Sequence, residues 1–297
     1  MDYSYYKICF VYEYGSESWS TPQSLINEFI RRGHSVSRVH LSNTLNFHKA
    51  LVSNVYDIII IMDWKGIDIP QVIHNQIPKS TFKIRECGDT PQNYEAHLSH
   101  IKNYNVLLTP DYVSCQKYIA AGVPCLWFNH FADTDIHKIY DGEDGMPPVR
   151  STRGQGGSVI MDALSTLMPD KFLNKNGLMG SEYGRFLGQG KIVIQNSRWG
   201  EITRRIFEGM ACKKLVITDR LPEHTRITDL FEEGKEIVFY DDFPDLISKI
   251  NYYLCPEGER GREDIATNSY NKVISSHTQY IRVNEILDSY ISWKNSL

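Results

Sequence analysis

Short apolar runs, several of them rich in β-branched residues, recur along the first half of the chain at residues 7–12 (KICFVY), 35–41 (SVSRVHL), 57–62 (DIIIIM), 81–87 (TFKIREC), 106–109 (VLLT) and 124–129 (PCLWFN). Each has the length of a strand, and continuous apolar runs fit strands covered on both faces, as in a parallel sheet. Between them the period changes. The clearest case is 21–32, where Leu25, Ile26, Phe29 and Ile30 form one apolar stripe before Gly33 supplies a stop. A second series follows the Gly/Pro-rich stretch 141–148 (DGEDGMPP), which reads as a linker. It predicts a helix at 157–168, a strand at 191–195, a helix at 201–212, strands at 215–218 and 236–240, and helices from 243 to the end. The expected class is α/β, with two doubly wound, Rossmann-like domains. Ligands of such sheets bind at the carboxyl ends of the strands, which here means a cleft between the domains.

Composition agrees with this picture and narrows it. A length of 297 residues gives room for two domains, and 41% hydrophobic with 23% charged residues excludes disorder, collagen-like repeats and disulfide miniproteins. The six cysteines form no C-x-x-C pair and read as reduced thiols. The longest purely apolar run is 58–62, and no export signal is evident, so the expected location is cytoplasmic with no membrane span.

Charge is informative by region. The net value is −4, but residues 150–214 hold eleven basic and five acidic side chains, a local excess of six positive charges. A basic segment inside an acidic chain points to a local anionic ligand rather than to a whole surface that binds nucleic acid, with a solvated basic face as the plain alternative.

Within that segment, 153–157 (RGQGG) precedes a helix, so its N–H groups and the helix N-terminus suit a phosphate; a flexible hinge turn is the alternative. Val159 stands where a dinucleotide fingerprint needs its third glycine, and no G-K-[ST] follows. Residues 196–212 (NSRWGEITRRIFEGMAC) leave a strand and enter a helix whose apolar face is Ile202, Ile206, Phe207 and Met210. Arg205 and Glu208, three apart, are neighbours on it, and a surface ion pair would also explain them. His130, Asp133, Asp135 and His137 resemble a metal cluster on paper, but no second cluster supports them and no metal is expected. His97 and His100 are expected at the surface of a helix.

Four ordered blocks, 205–219 (RIFEGMACKKLVITD), 230–241 (LFEEGKEIVFYD), 245–254 (DLISKINYYL) and 277–282 (HTQYIR), resemble the C-terminal pattern of the glycosyltransferases related to spore-maturation and spore-coat proteins, a branch of the GT-B group-1 transferases. In the first half, 25–36 (LINEFIRRGHSV), 86–91 (ECGDTP) and 129–136 (NHFADTDI) agree with it less strictly. The resemblance implies a GT-B-like fold: an acceptor domain over 1–140, a nucleotide-sugar donor domain over 141–276, and C-terminal closing helices, the last at 277–297 packing back toward the first domain. It implies transfer of a hexosyl or pentosyl group from a nucleotide sugar, with no obligatory metal or other cofactor. The donor would be held by Arg153, Gly154, Gly156, Gly157, Ser197, Arg198, Arg204, Arg205 and Glu208, the last accepting ribose hydroxyls while Arg205 keeps it ionised.

One departure matters. Group-1 enzymes often carry two glutamates separated by seven residues; Glu208 fits the second, but the first position is Gly200, leaving Ser197, Arg198 or Glu201 as substitutes. Asp63, Asp89 and His130 follow strand ends, and one of them would serve as general base if the reaction inverts; a retaining reaction requires none. The acceptor stays open among small molecules, glycans, proteins and modified DNA bases. Alternatives from other classes are a noncatalytic nucleotide- or sugar-binding protein and a GT-B-shaped sugar-nucleotide epimerase.

Overall fold

The structure, a computed structural model, describes residues 5–13, 20–42, 47–63, 65–90, 92–142, 145–152 and 158–297. The chain divides into two compact units, Met1–Asn129 with Tyr280–Leu297, and His130–Gln279. Residues 143 and 144 of the expected linker, and the whole 153–157 loop with Arg153, Gly154, Gly156 and Gly157, lie outside the described residues.

Unit 1 is built on β1 (Lys7–Tyr12), β2 (Ser35–His40), β3 (Ile58–Asp63), β4 (Phe82–Cys87), β5 (Val106–Thr109) and β6 (Cys125–Trp127), all parallel, in the order β2-β1-β3-β4-β5-β6. Every residue of β3 is buried, because the strand pairs on both edges and is covered on both faces. The helices of this unit are α1 (Thr21–Arg31), α2 (Gln71–His74), α3 (Tyr94–Leu98) and α4 (Tyr112–Ala120). The Ser20 side chain accepts from Gln23 N–H at the start of α1, with Pro22 in its first turn. Its core face is narrower than the sequence stripe: Leu25, Ile26 and Phe29 are buried, whereas Ile30 is 52% exposed. Its place is taken by Glu28, buried and paired with Arg31 at 2.7 Å and Arg32 at 2.8 Å.

Unit 2 contains β7 (Val149–Ser151), β8 (Phe172–Asn174), β9 (Ile192–Gln195), β10 (Leu215–Asp219) and β11 (Val238–Tyr240), parallel and ordered β11-β10-β9-β7-β8. Its helices are α5 (Val159–Leu167), α6 (Gly180–Gly188), α7 (Arg204–Ala211), α8 (Ile227–Leu230), α9 (Phe243–Leu254) and α10 (Pro256–Ser276). The last helix, α11 (Gln279–Lys294), lies almost wholly in the returning segment of unit 1. Two glycines let the unit 2 helices seat closely. A Cβ on Gly209 would stand 2.9 Å from Val216, so α7 rests directly on the sheet; one on Gly184 would stand 2.0 Å from the Ile136 carbonyl, so α6 lies against the segment that opens the unit.

In both sheets the strand order reverses beside the first strand, between β1 and β3 and between β7 and β9. At such a reversal the loops leaving neighbouring strands turn to opposite faces, which opens a crevice at the carboxyl edge. Among the described residues no helix is long and apolar enough to cross a membrane.

Candidate active site

Among the described residues, the expected donor-binding side chains Ser197, Arg198, Arg204, Arg205 and Glu208 lie in the loop and helix that leave the carboxyl end of β9. Thr152 follows β7, and Gln195 ends β9, on either side of the strand-order reversal. Arg205, from the first turn of α7, donates through Nε to Thr152 Oγ1 at 3.0 Å and through Nη1 to Gln195 Oε1, so its guanidinium lies across the reversal point. Ser197 is fixed two residues beyond Gln195, its N–H donating at 2.8 Å to Asp219 Oδ1 and its hydroxyl to Asp219 Oδ2, where β10 ends. Asn196 accepts from Ser158, the residue before α5, at 2.8 Å and donates to Tyr240 at 3.0 Å.

The loop 196–203 between β9 and α7 is held as a turn. Gly200 takes a left-handed φ of +69°, and Glu201 folds back to accept from the N–H groups of Arg198 at 3.4 Å and Trp199 at 2.6 Å. The helix expected from residue 201 therefore starts at Arg204, and the Glu201 carboxylate is used within its own loop. The Arg198 guanidinium lies over the Trp199 ring, 5.0 Å from its centroid.

Glu208, one turn along α7, is 5% exposed. Tyr183 from α6 donates to Oε2 at 2.6 Å, Arg204 Nε stands 3.3 Å from Oε1, and His137 Nε2 stands 3.7 Å from Oε1. The direct contact comes from Arg204, an i,i+4 side chain that reaches back along the helix to the carboxylate, whereas Arg205 bonds to the strand ends and adds its charge to those that hold Glu208 ionised. Burial alone would raise the Glu208 pKa, but the facing His137, Arg204 and Tyr183 hydroxyl outweigh it, and the carboxyl is held below its usual range. Burial lowers the His137 pKa and favours the neutral ring. Its Nδ1 accepts from Asp133 N–H at 3.2 Å, which places the ring proton on Nε2, facing Glu208. Of the four side chains that resemble a metal cluster in the sequence, Asp133 Oδ1 accepts from the Asp135 N–H and His137 faces Glu208; among the described residues no group of three or more His, Cys, Asp or Glu is placed to hold a metal ion.

In unit 1 the expected catalytic candidates sit on neighbouring strand ends. Asp63 closes β3, buried, and accepts from Ile67 N–H at 2.6 Å with Arg85 Nη2 at 3.9 Å; burial raises its pKa against both contacts. Asp89 lies two residues beyond β4, exposed, with φ +48°. His130 is half-buried and opens unit 2, so it does not share a unit with them.

Sequence reading passed over the groups that organise this edge. Glu86, near the end of β4, has its pKa pushed up to about 8 by burial, against Arg85, with Asp89 and Asp63 adding to the rise. Arg85, fully buried in the same strand, meets Asp68 at 3.3 Å, the Ile67 carbonyl at 3.0 Å and His97 Nδ1 at 3.1 Å. His97 is therefore not a surface residue: it is buried, and its Nε2 meets the Gly88 carbonyl at 3.1 Å, while His100 remains partly exposed. Tyr183 and Asp219 were missed as well; the only available signal was that Asp219 ends an apolar run.

Residues 164–288 match the family described as Glycosyl transferase-like, a span that contains Tyr183, Ser197, Arg198, Arg204, Arg205, Glu208 and Asp219. Among solved structures, the chain is similar to Anabaena Alr3699/HepE in complex with UDP and glucose (TM-score 0.68, 13% identity, 97% of this chain and 100% of that one). It is also similar to an alpha-glucosyltransferase in complex with UDP-glucose and DNA containing an abasic site (0.67, 12%, 97% and 100%). A third is a putative UDP-N-acetylglucosamine 2-epimerase from Listeria monocytogenes (0.63, 9%, 99% and 98%). The fold is of the GT-B type. Curated proteins give no match to the sequence. At these identities the solved structures share a fold, and the chemistry has to be argued from the side chains.

Proposed function

We propose that the protein is a nucleotide-sugar-dependent glycosyltransferase that holds its donor at the carboxyl edge of the unit 2 sheet and takes its acceptor in unit 1. The observation that carries this reading is the ionised Glu208 on α7, one turn after an arginine laid across the strand-order reversal. A carboxylate accepts from a ribose hydroxyl, and the arginines beside it suit a diphosphate. The match of 164–288 to a glycosyl transferase-like family supports the same assignment.

In the reaction, the bond from the anomeric carbon to the diphosphate oxygen breaks, and negative charge grows on the leaving group. Cations aimed there lower the barrier by about 3 to 4 kcal/mol for each well-placed donor. Arg198, Arg204 and Arg205, together with the 153–157 loop, supply that charge in this reading, so no metal ion is required of the donor site. For an inverting outcome the base is Asp63, Asp89 or His130; a retaining outcome needs none of them.

UDP-glucose is the first donor to test, because solved structures of this fold hold UDP or UDP-glucose. Even without its acceptor, the protein is expected to release UDP slowly from the correct donor. Arg205→Ala is expected to reduce that release about 100-fold, the size of one lost transition-state donor, and Glu208→Ala to weaken donor binding about tenfold or more, the size of one lost hydrogen bond to a charged group. Full release by both folded variants would sink the site. Interconversion of the sugar without UDP release would instead identify an epimerase, and tight binding with neither would identify a binding protein.

A further inference from the structure

Glu208 is held by side chains from three separate parts of unit 2. Arg204 approaches Oε1 from its own helix, His137 from the segment that opens the unit, and Tyr183 from α6. Tyr183 makes a short hydrogen bond, 2.6 Å to Oε2, and several features serve to bring it there. The turn at 133–137 is closed by His137 N–H on the Asp133 carbonyl at 2.7 Å. Gly184 lets α6 settle on that turn, where any Cβ would strike the Ile136 carbonyl. The His137 ring then stands edge-on to the Tyr183 ring, with centroids 5.7 Å apart and an interplanar angle of 89°.

The two oxygens of Glu208 are consequently unlike. Oε1 faces a cation and a ring N–H, whereas Oε2 is fixed by one neutral hydroxyl, which leaves it a lone pair for a ligand. Without the Tyr183 hydroxyl, the side chains left to orient the carboxylate, Arg204 and His137, both stand at Oε1.

We propose that Tyr183 is a positioning residue that aims Glu208 Oε2 at the ribose 2′-hydroxyl, making the site select ribonucleoside diphosphates over their 2′-deoxy counterparts. This rests on the donor-site reading of Glu208 and extends it to the class of nucleotide accepted. A site built to hydrogen-bond a hydroxyl rejects the analogue lacking it, because the buried acceptor is then left unpaired.

The test compares nucleotide pairs. UDP, GDP, ADP and CDP are titrated against the whole protein by calorimetry, and the tightest binder is compared with its 2′-deoxy form. The wild type is expected to prefer the ribonucleotide by about tenfold or more, the effect of one hydrogen bond to a charged group. Tyr183→Phe, which removes a single oxygen, is expected to bring the two within about threefold, as is Glu208→Gln. A purely structural role for Tyr183 would weaken both nucleotides equally and leave their ratio unchanged. If Tyr183→Phe keeps the wild-type ratio while Glu208→Gln loses it, the inference fails and the ribose role of Glu208 stands. If Glu208→Gln also keeps the ratio, or if none of the four nucleotides binds, the donor-site reading fails with it.

Discussion

Burial sets the titration of single residues in unit 1, and two of them push stability in opposite directions with pH. The His97 pKa is lowered from 6.5 to about 4 by burial, with Arg85 adding to the effect. Between those values the unfolded chain binds a proton that the native ring refuses, so stability falls as pH drops below about 6.5. Glu86 is the reverse: its pKa rises from 4.5 to about 8, so the native carboxyl keeps a proton that the unfolded chain has released. Its effect is a loss of stability as pH rises from about 4.5 to 8. Each proton corresponds to a slope of at most about 1.4 kcal/mol per pH unit. Thermal melts from pH 4 to 8 are expected to show a maximum in stability between these limits. Glu86→Gln should flatten the alkaline side and His97→Gln the acid side, and unchanged slopes in both would refute the assignment. Neither residue was legible in the sequence. A strand such as 81–87 (TFKIREC), covered on both faces, has to bury Arg85, and the partners that meet its charge, Asp68 and His97, come from outside the strand, where local pattern does not reveal them.

Among the elements, long apolar strands and capped amphipathic helices were readable, and short elements rich in charge or glycine were not. β3, β9 and β10 declare themselves by continuous apolar runs. β7 (Val149–Ser151) and β8 (Phe172–Asn174) are three residues each, and β7 has the buried Arg150 at its centre, so neither presents a run. α6 (Gly180–Gly188) has three glycines in nine positions and reads as a loop. Two of those glycines make it fit, Gly184 against Ile136 and Gly188 against Tyr140, which gives a prediction. Gly184→Ala would place a methyl 2.0 Å from the Ile136 carbonyl, a backbone atom that cannot swing away. The helix must shift outward, at a cost of about 1 to 3 kcal/mol typical of overpacking. Because Tyr183 is the preceding residue, the shift also lengthens its bond to Glu208. The expected result is a lower melting temperature together with weaker nucleotide binding. A variant as stable as the wild type would show that the 133–137 turn yields.

At the scale of the whole chain, alternation of strand and helix was enough to indicate two doubly wound sheets, because each βαβ step repeats the same local pattern. What alternation does not show is which core the last helix completes. Residues 280–297 belong to unit 1, although all of unit 2 precedes them. Their anchors are distributed along the sequence: Arg32 donates to Asn284 Oδ1 at 2.6 Å and to the Tyr280 carbonyl at 2.8 Å, and Arg282 donates to the Asn129 carbonyl at 2.8 Å. Tyr290 packs edge-on against Tyr6 at 5.0 Å, and Trp293 lies 5.0 Å from Phe82. Val283, Ile286 and Leu287 are fully buried. Removing 280–297 would strip these apolar side chains from unit 1 and expose Tyr6 and Phe82, with a loss of about 1.5 to 3 kcal/mol for each large buried side chain. That approaches the whole stability of an ordinary domain, about 5 to 15 kcal/mol. Unit 2 keeps its own core around Ile192, Ile194, Leu215 and Ile217, which none of these contacts supports. Hydrogen exchange on a chain ending at residue 279 should therefore show β1, β3 and β4 losing protection while β9 and β10 retain it. Equal loss in both sheets would mean that the two units fold as one cooperative body, and retained protection in β1 would mean that α11 is dispensable to the core it covers.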